Sequence, residues 1–248
     1  MSRYLRNRLL AASSILTVAG ALPTAKAETL AEKLEARAAQ GSPKLTPEIK
    51  EAFKEGIAAV EAAMIVEKAK QVGDDAPDFT LKNATGKDVT LSAELKKGPV
   101  VLTWYRGGWC PYCNIALRAM QEELSAFKEA GASLLALTPE LPDKALSTTE
   151  KNELEFEVLT DLNHKVAMGY GLVFELTPEV ERLYGQFFNL ETFNGEEAGT
   201  NQLPLAATYV IGTDGKILWS FLHHDYRKRA EPKDIVAFLK AHKAEAPH

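Results

Sequence analysis

The stretch that decides the fold is WYRGGWCPYCN, residues 104–114. It ends the apolar run GPVVLTWY, which is typical of a buried strand, and it holds both cysteines of the chain, Cys110 and Cys113. Pro111 opens a segment with apolar residues at helical spacing, as is common in the first turn of a helix. A strand, a short turn and C-x-x-C at a helix start favour a pair of redox-active thiols.

Two other uses of the cysteine pair fit the sequence less well. A zinc site needs about four ligands, and none of the five histidines stands at ligand spacing from the pair. A structural disulfide that closes so few residues removes little entropy from the unfolded chain. We therefore expect no metal site here.

The helix start gives the redox interpretation a physical basis. Backbone N–H groups and the helix dipole favour a thiolate at Cys110, and Arg106 adds a positive charge at the same turn. A thiolate attacks disulfides or peroxides, and the second cysteine resolves the intermediate. The alternative for Arg106 is a surface salt bridge.

Residues 1–27 are typical of a secretory signal peptide. Three arginines precede an apolar stretch too short for a mature anchor, and Ala-Lys-Ala at 25–27 is a small-x-small cleavage site. We expect cleavage before Glu28 and export to the periplasm or the medium; the alternative is an uncleaved anchor. Four of the 29 basic residues and none of the 34 acidic ones would be removed, which leaves a net charge of about −9. This charge argues against nucleic acid or an anionic membrane surface as a partner.

The remaining chain predicts an α/β domain behind a helical extension. Residues 28–70 have apolar residues at helical spacing, which predicts two helices. Residues 71–248 alternate strands with helices and close on a hairpin at 214–215, which predicts a mixed central sheet flanked by helices. Within this domain, the pattern predicts one helix over 111–131 and a surface insertion at 189–202.

Over residues 71–240 the chain resembles the alkyl hydroperoxide reductase / thiol-specific antioxidant family, in the peroxiredoxin-like branch of the thioredoxin superfamily. The matching segments follow the family's order: VGDDAPDFTL, GPVVLTWYRGGWCPYCN, LEFEVLTDLNHKVAMGYGL, LPLAATYVIGTDGKI and DYRKRAEPKDIVAFL. The resemblance implies a thioredoxin-like fold and reduction of hydrogen peroxide and organic hydroperoxides through a cysteine sulfenic acid and a Cys110–Cys113 disulfide. It also implies a thioredoxin-like protein or a small thiol as reductant, and no metal or organic cofactor.

The chain departs from the family's P-x-x-x-T-x-x-C motif. Counting back from Cys113, Cys110 stands at the Thr position and Arg106 at the Pro position. The pocket arginine of typical members falls at about Ala206, whereas Arg229 resembles a second arginine near the family's active site. In the peroxiredoxin register Cys113 attacks the peroxide and Cys110 closes the disulfide. In the thioredoxin register Cys110, which we expect to be the more exposed, attacks a disulfide and Cys113 resolves it.

Several functional roles stay open from sequence. Hydrogen-bond donors must stabilise the departing peroxide oxygen, and Arg106, Arg229 or backbone N–H groups would take that role. Trp109 and Tyr112 flank the pair and form either a partner-docking surface or local packing. The second hypothesis for function is an exported thiol–disulfide oxidoreductase, and the third is a non-catalytic binding module. The two-helix extension also allows a homodimer.

Overall fold

The computed structural model describes residues 28–42, 44–196 and 201–245, so the predicted signal peptide lies outside the described residues. Within these ranges, no helix has the length and apolar character needed to cross a bilayer. The α-helices of the described chain are α1 (Leu30–Gln40), α2 (Pro47–Ala62), α3 (Ile65–Lys68), α4 (Leu91–Leu95), α5 (Pro111–Glu122), α6 (Leu124–Glu129), α7 (Pro142–Lys151), α8 (Lys165–Gly169), α9 (Pro178–Phe187), α10 (Leu190–Asn194) and α11 (Pro232–Glu245).

Most strands belong to one mixed sheet. The strands are β1 (Thr80–Asn83), β2 (Asp88–Thr90), β3 (Val100–Trp104), β4 (Ser133–Thr138), β5 (Glu157–Thr160), β6 (Val173–Glu175), β7 (Gln202–Pro204), β8 (Thr208–Ile211) and β9 (Ile217–Phe221). Seven of them form the sheet in the order β2-β1-β5-β4-β3-β8-β9, and β6 pairs separately with β7. β3 runs parallel to β4 and antiparallel to β8. The predicted α/β class with a mixed central sheet is confirmed.

The strand that precedes the cysteines is buried on both faces. All five residues of β3 are buried, because helices cover the sheet on either side. Successive side chains alternate between the two faces: Leu102 and Trp104 pack in one core cluster, whereas Val101 packs in the other with Cys113 and Phe127. The cysteine helix α5 therefore covers the Val101 face of the sheet.

The extension forms the two predicted helices, α1 and α2, and a short third helix, α3. Leu30 and Leu34 of α1 pack against Ala116 and Ala119 of α5 in a small apolar cluster. The backbone N–H of Leu30 donates to the carboxylate of Glu231 at 2.9 Å, just before α11. The extension thus packs directly on the helix that carries the cysteines.

One sequence prediction is wrong in detail, and another describes its segment only in part. The helix expected over 111–131 is two helices, α5 and α6, because Glu123 leaves the helical conformation (φ −100°, ψ 8°). Leu124 and Phe127 after this break are both buried in the core. The segment predicted as a surface insertion begins with α10, in which Leu190 and Asn194 are buried. A surface position was inferred from polar composition, which gives no information on these two buried residues.

We expect Leu34→Ala to lower the free energy of unfolding by about 2–3 kcal/mol, because it removes a buried side chain between α1 and α5. Urea denaturation followed by circular dichroism measures this change. The matched control is Glu35→Ala on the exposed face of α1, which should change stability by less than about 0.5 kcal/mol. Equal effects of the two variants would contradict the packing of α1 on α5.

Candidate active site

The cysteine pair lies at the start of α5, after the turn that leaves β3. Cys110 is the N-cap residue and Pro111 is the first residue of the helix. Both cysteines are free thiols in this structure. Both residues are buried, at 2% and 0% exposed, so Cys110 is only marginally the more exposed of the two. In the described ranges, no group of three His, Cys, Asp or Glu side chains could hold a metal ion.

The sulfur of Cys113 accepts hydrogen bonds from two arginine residues. Nη2 of Arg229 lies 3.3 Å from Sγ, and the backbone N–H of Arg106 donates to Sγ at 3.5 Å. Burial acts to raise the pKa of the Cys113 thiol, but the hydrogen bond from Cys110, the charges of Arg229 and Arg106 and the backbone N–H outweigh it. The pKa of Cys113 is therefore held well below its ordinary value. Cys113 is the thiolate of the pair.

Cys110 has the opposite electrostatic character. Burial raises the pKa of its thiol well above the ordinary value, and the hydrogen bond to Cys113 and the charge of Cys113 raise it further. The charges of Arg106 and Arg229 lower the pKa of Cys110 by less. The helix start was predicted to favour a thiolate at Cys110, but desolvation and the neighbouring Cys113 act against that charge. Cys110 is a neutral thiol that donates to its neighbour.

Arg106 is enclosed by aromatic rings. Its guanidinium carbon lies 4.2 Å from the ring centre of Tyr226, 5.1 Å from that of Trp109 and 5.6 Å from that of Tyr184. Its Nη2 donates to the hydroxyl of Tyr184, and the residue is 2% exposed. The alternative of a surface salt bridge is therefore wrong. Aromatic faces hold the charge by cation–π attraction, which leaves the charge available to the two sulfurs.

Arg229 reaches the site from the segment that precedes α11. Its Nη1 donates to the backbone carbonyls of Tyr226 and Lys228, which directs Nη2 to the sulfur of Cys113. Tyr226 therefore supports both arginines, since its ring faces Arg106 and its carbonyl accepts from Arg229. The family resemblance indicated Arg229, but no sequence pattern indicated Tyr226.

A small cavity adjoins the sulfur of Cys113. It has a volume of about 10 Å³ and is lined by Arg229 and by the hydroxyl-bearing residues Thr103 and Thr208. The two hydroxyl oxygens are 2.9 Å apart, and that of Thr103 also donates to the carbonyl of Ala207 at 3.3 Å. A cavity of this size admits about one water-sized molecule. The sulfur thus adjoins a small, mostly apolar cavity in which Arg229 and the two threonines supply polar groups.

Trp109 and Tyr112 are partly buried by their neighbours. The Trp109 ring stacks on Phe188 with centroids 4.5 Å apart and meets the Tyr184 ring at 5.5 Å. Tyr112 contacts the Tyr226 ring edge-on at 5.7 Å. Local packing of both rings is therefore present, and their partner-docking role stays a prediction.

Sequence reasoning missed a fully buried carboxyl group at the same turn, that of Glu140. Its Oε1 accepts a hydrogen bond from the backbone N–H of Gly108 at 2.9 Å. Its Oε2 accepts from the hydroxyls of Thr148 at 3.3 Å and Thr138 at 3.5 Å. Burial raises the pKa of Glu140 to about 7, although the Gly108 N–H opposes the change. A polar T-P-E segment directly after a buried strand is the only signal that could have indicated it.

We expect Arg229→Met to raise the pKa of Cys113 by about one to two units, because a charge in contact with the sulfur stabilises the thiolate. Thiolate absorbance at 240 nm as a function of pH, in a Cys110→Ser background, measures this pKa. The matched control is Arg227→Met, since Arg227 is bonded to Asp225 at 2.7 Å. Equal shifts in the two variants would contradict a specific role of Arg229.

Comparison with known proteins places this site in a family. Residues 72–220 match the profile of the AhpC/TSA family. A putative peroxiredoxin of Mycobacterium tuberculosis is 27% identical over 146 residues, which cover 59% of this chain and 81% of the relative. Peroxiredoxin Bcp of Escherichia coli is 24% identical over 172 residues, which cover 69% of this chain and 97% of the relative.

Solved structures show the same fold. Peroxidoxin BcpB of Mycobacterium tuberculosis aligns with a TM-score of 0.55 at 24% identity, over 69% of this chain and 97% of that one. The Xanthomonas campestris bacterioferritin comigratory protein, studied for its alkyl peroxide reduction, aligns with a TM-score of 0.51 at 16% identity, over 66% of this chain and 91% of that one. The thioredoxin-like fold expected from sequence is confirmed. The chain belongs to the AhpC/TSA family and is a peroxiredoxin-like thiol peroxidase.

Proposed function

We propose that the protein reduces hydrogen peroxide and organic hydroperoxides with Cys113 as the attacking thiolate and Cys110 as the resolving thiol. One observation carries this assignment: the Cys113 sulfur accepts hydrogen bonds from Arg229 and from the Arg106 backbone. These groups lower the pKa of Cys113, whereas burial raises that of Cys110. The alkyl peroxide reduction of the Xanthomonas campestris protein supports the extension to organic hydroperoxides.

The first step is attack on the peroxide by the thiolate. An S–O bond forms at Cys113 as the O–O bond breaks, and the sulfur becomes a sulfenic acid. The departing oxygen takes a proton and leaves as water or an alcohol. Arg229 lines the cavity beside the sulfur, and such a donor stabilises the charge that develops on this oxygen. Arg106 acts mainly on the thiolate, from within its enclosure of aromatic rings.

The second step converts the sulfenic acid into a disulfide, which a thiol reductant can reduce. Cys110 attacks the oxidised sulfur of Cys113, a disulfide forms, and the hydroxyl leaves with the Cys110 proton as water. A thioredoxin-like protein or a small thiol then supplies two electrons to the disulfide. We assign the docking of this reductant to the partly exposed rings of Trp109 and Tyr112, which flank the pair. The cycle uses no metal or organic cofactor.

A second function, exchange with protein disulfides, is favoured by the contact between two free thiols in a C-P-Y-C sequence. In that case Cys110 would be the attacking residue. The raised pKa of Cys110 and its burial argue against it. In peroxide reduction Cys113 reacts first, with a peroxide, whereas in disulfide exchange Cys110 reacts first, with a protein disulfide.

We also propose that the protein acts outside the cytoplasm, as the arginines, apolar stretch and Ala-Lys-Ala of residues 1–27 indicate. The acidic mature chain would have no nucleic-acid partner and no membrane attachment, and α1 and α2 offer a surface for a homodimer. Expression of the full chain in a Gram-negative host should give a periplasmic protein whose intact mass is that of a chain beginning at Glu28. A product that retains Met1 in the membrane or cytoplasmic fraction would contradict export and cleavage.

We expect the reduced protein to show a fast second-order fluorescence change on mixing with hydrogen peroxide, since Trp109 is next to Cys110. Stopped-flow measurements should show that Cys113→Ser abolishes this phase. Cys110→Ser should retain a single turnover that stops at the sulfenic acid. A wild-type rate no faster than that of a free thiol, or a phase that depends on Cys110 alone, would contradict peroxidase function and favour disulfide exchange.

A further inference from the structure

Gly108 lies in the turn before Cys110, and buried side chains form hydrogen bonds with both its backbone N–H and its carbonyl. The N–H of Gly108 donates to Glu140, and its carbonyl accepts from Nδ2 of Asn114 at 2.8 Å. Asn114 is in turn held by Nδ2 of Asn152 at 2.9 Å. A methyl group on Gly108 would lie 2.0 Å from Oγ1 of Thr148, so α7 packs closely against the turn. The position of Gly108 is thus set by Glu140, Asn114 and α7 together.

Glu140 holds its place in this arrangement without a cation. It is fully buried, and no lysine, arginine or histidine in the described ranges forms a salt bridge with it. The titratable groups that face it are Tyr105, which follows β3, and Cys113 on α5. α7 contributes the uncharged Thr148, and β4 contributes the uncharged Thr138. A buried carboxyl group without a cationic partner responds strongly to pH.

We propose that Glu140 is a positioning residue for the resolving step: as a carboxylate it fixes the Gly108 turn so that Cys110 is aligned with oxidised Cys113, and a proton on it loosens the turn. The inference rests on the proposed function. A hydrogen bond to a carboxylate is roughly twice as strong as one to a neutral acceptor, so protonation weakens the contact at Gly108. Because Cys110 follows Gly108 by two residues and its N–H donates to the Gly107 carbonyl at 3.0 Å, movement of the turn displaces the resolving thiol.

Ionisation of Glu140 has opposite consequences for the two chemical steps. The carboxylate opposes the thiolate of Cys113 electrostatically, so a proton on Glu140 favours the attack on peroxide. The same proton disfavours resolution, in which the S–S bond forms between Cys110 and Cys113, the S–O and S–H bonds break, and water leaves. The sulfenic acid should therefore live longer below the pKa of Glu140, which burial raises from its ordinary value.

The test is the pH dependence of the two steps measured separately. Stopped-flow fluorescence gives the rate of sulfenic acid formation, and trapping by dimedone with mass spectrometry gives its lifetime. In the wild type we expect resolution to slow several-fold as the pH falls through the pKa of Glu140 in the oxidised site, which lies below the value of about 7 because the charge of Cys113 has been lost. Glu140→Gln keeps the size of the side chain and an acceptor for Gly108 but removes the charge. It should resolve at the slow rate at every pH, and it should attack peroxide at least as fast as the wild type because the carboxylate no longer opposes the thiolate of Cys113.

Two further variants distinguish an effect of Glu140 on the position of the Gly108 turn from a general effect on stability. Thr148→Val removes one hydrogen bond to the carboxylate, which should raise the pKa of Glu140 and shift the midpoint of resolution to higher pH. Asp161→Asn neutralises another buried carboxylate, which accepts from the N–H groups of Val166 and Ala167. This control should lower thermal stability and leave the midpoint unchanged.

The outcomes are distinct. A wild-type midpoint that is lost in Glu140→Gln and moved in Thr148→Val supports the inference. Resolution independent of pH in the wild type, or the same midpoint in Glu140→Gln, overturns it. If the wild type forms no sulfenic acid with hydrogen peroxide, the proposed function fails instead.

Discussion

A thiolate inside a protein core is the constraint on which the site depends. Transfer of an ion from water to a buried position costs several kcal/mol unless charged and hydrogen-bonding groups replace its hydration. At Cys113 this replacement comes from Arg229, from the backbone N–H of Arg106 and from the thiol of Cys110. Arg106 and Cys110 belong to one turn, whereas Arg229 is 116 residues from Cys113 in the chain, so the three donors meet at the sulfur only in the folded protein.

The fold supplies these donors through a few well-packed elements. β3 is buried on both faces and ends at the turn that carries Arg106, and α5 begins with the cysteines. The segment before α11 brings Arg229 and Tyr226 from the end of the domain. The N-terminal helix α1 then packs on α5 and bonds to Glu231 next to α11. The extension therefore joins the two elements between which the thiolate and its arginine meet, which gives it a structural role in the site.

The local parts of this arrangement could be predicted from sequence, and the long-range parts could not. The apolar run, Pro111 and the C-x-x-C spacing are short-range signals, and they placed the strand, the helix start and the pair correctly. The relative acidity of the two thiols depends on desolvation and on an arginine 116 residues away, so a helix-start argument alone could not rank the two thiols. The rings of Tyr184 and Tyr226 and the carboxyl group of Glu140 have no local pattern, because tertiary packing alone brings them to Arg106 and Gly108.

The charges around the two cysteines also explain why the turn at Gly108 can contain the carboxyl group of Glu140 without a cationic partner. Arg106 and Arg229 bring two positive charges to a buried region in which Cys113 supplies one negative charge and Cys110 none. A carboxylate at Glu140 makes the region neutral, although it is bonded to Gly108 and not to either arginine. When Cys113 becomes a sulfenic acid its negative charge is lost, and the repulsion that it exerted on Glu140 disappears. Oxidation of Cys113 therefore favours the ionised form of Glu140. This form fixes the Gly108 turn, so the attack on peroxide itself favours the conformation that the resolving step requires.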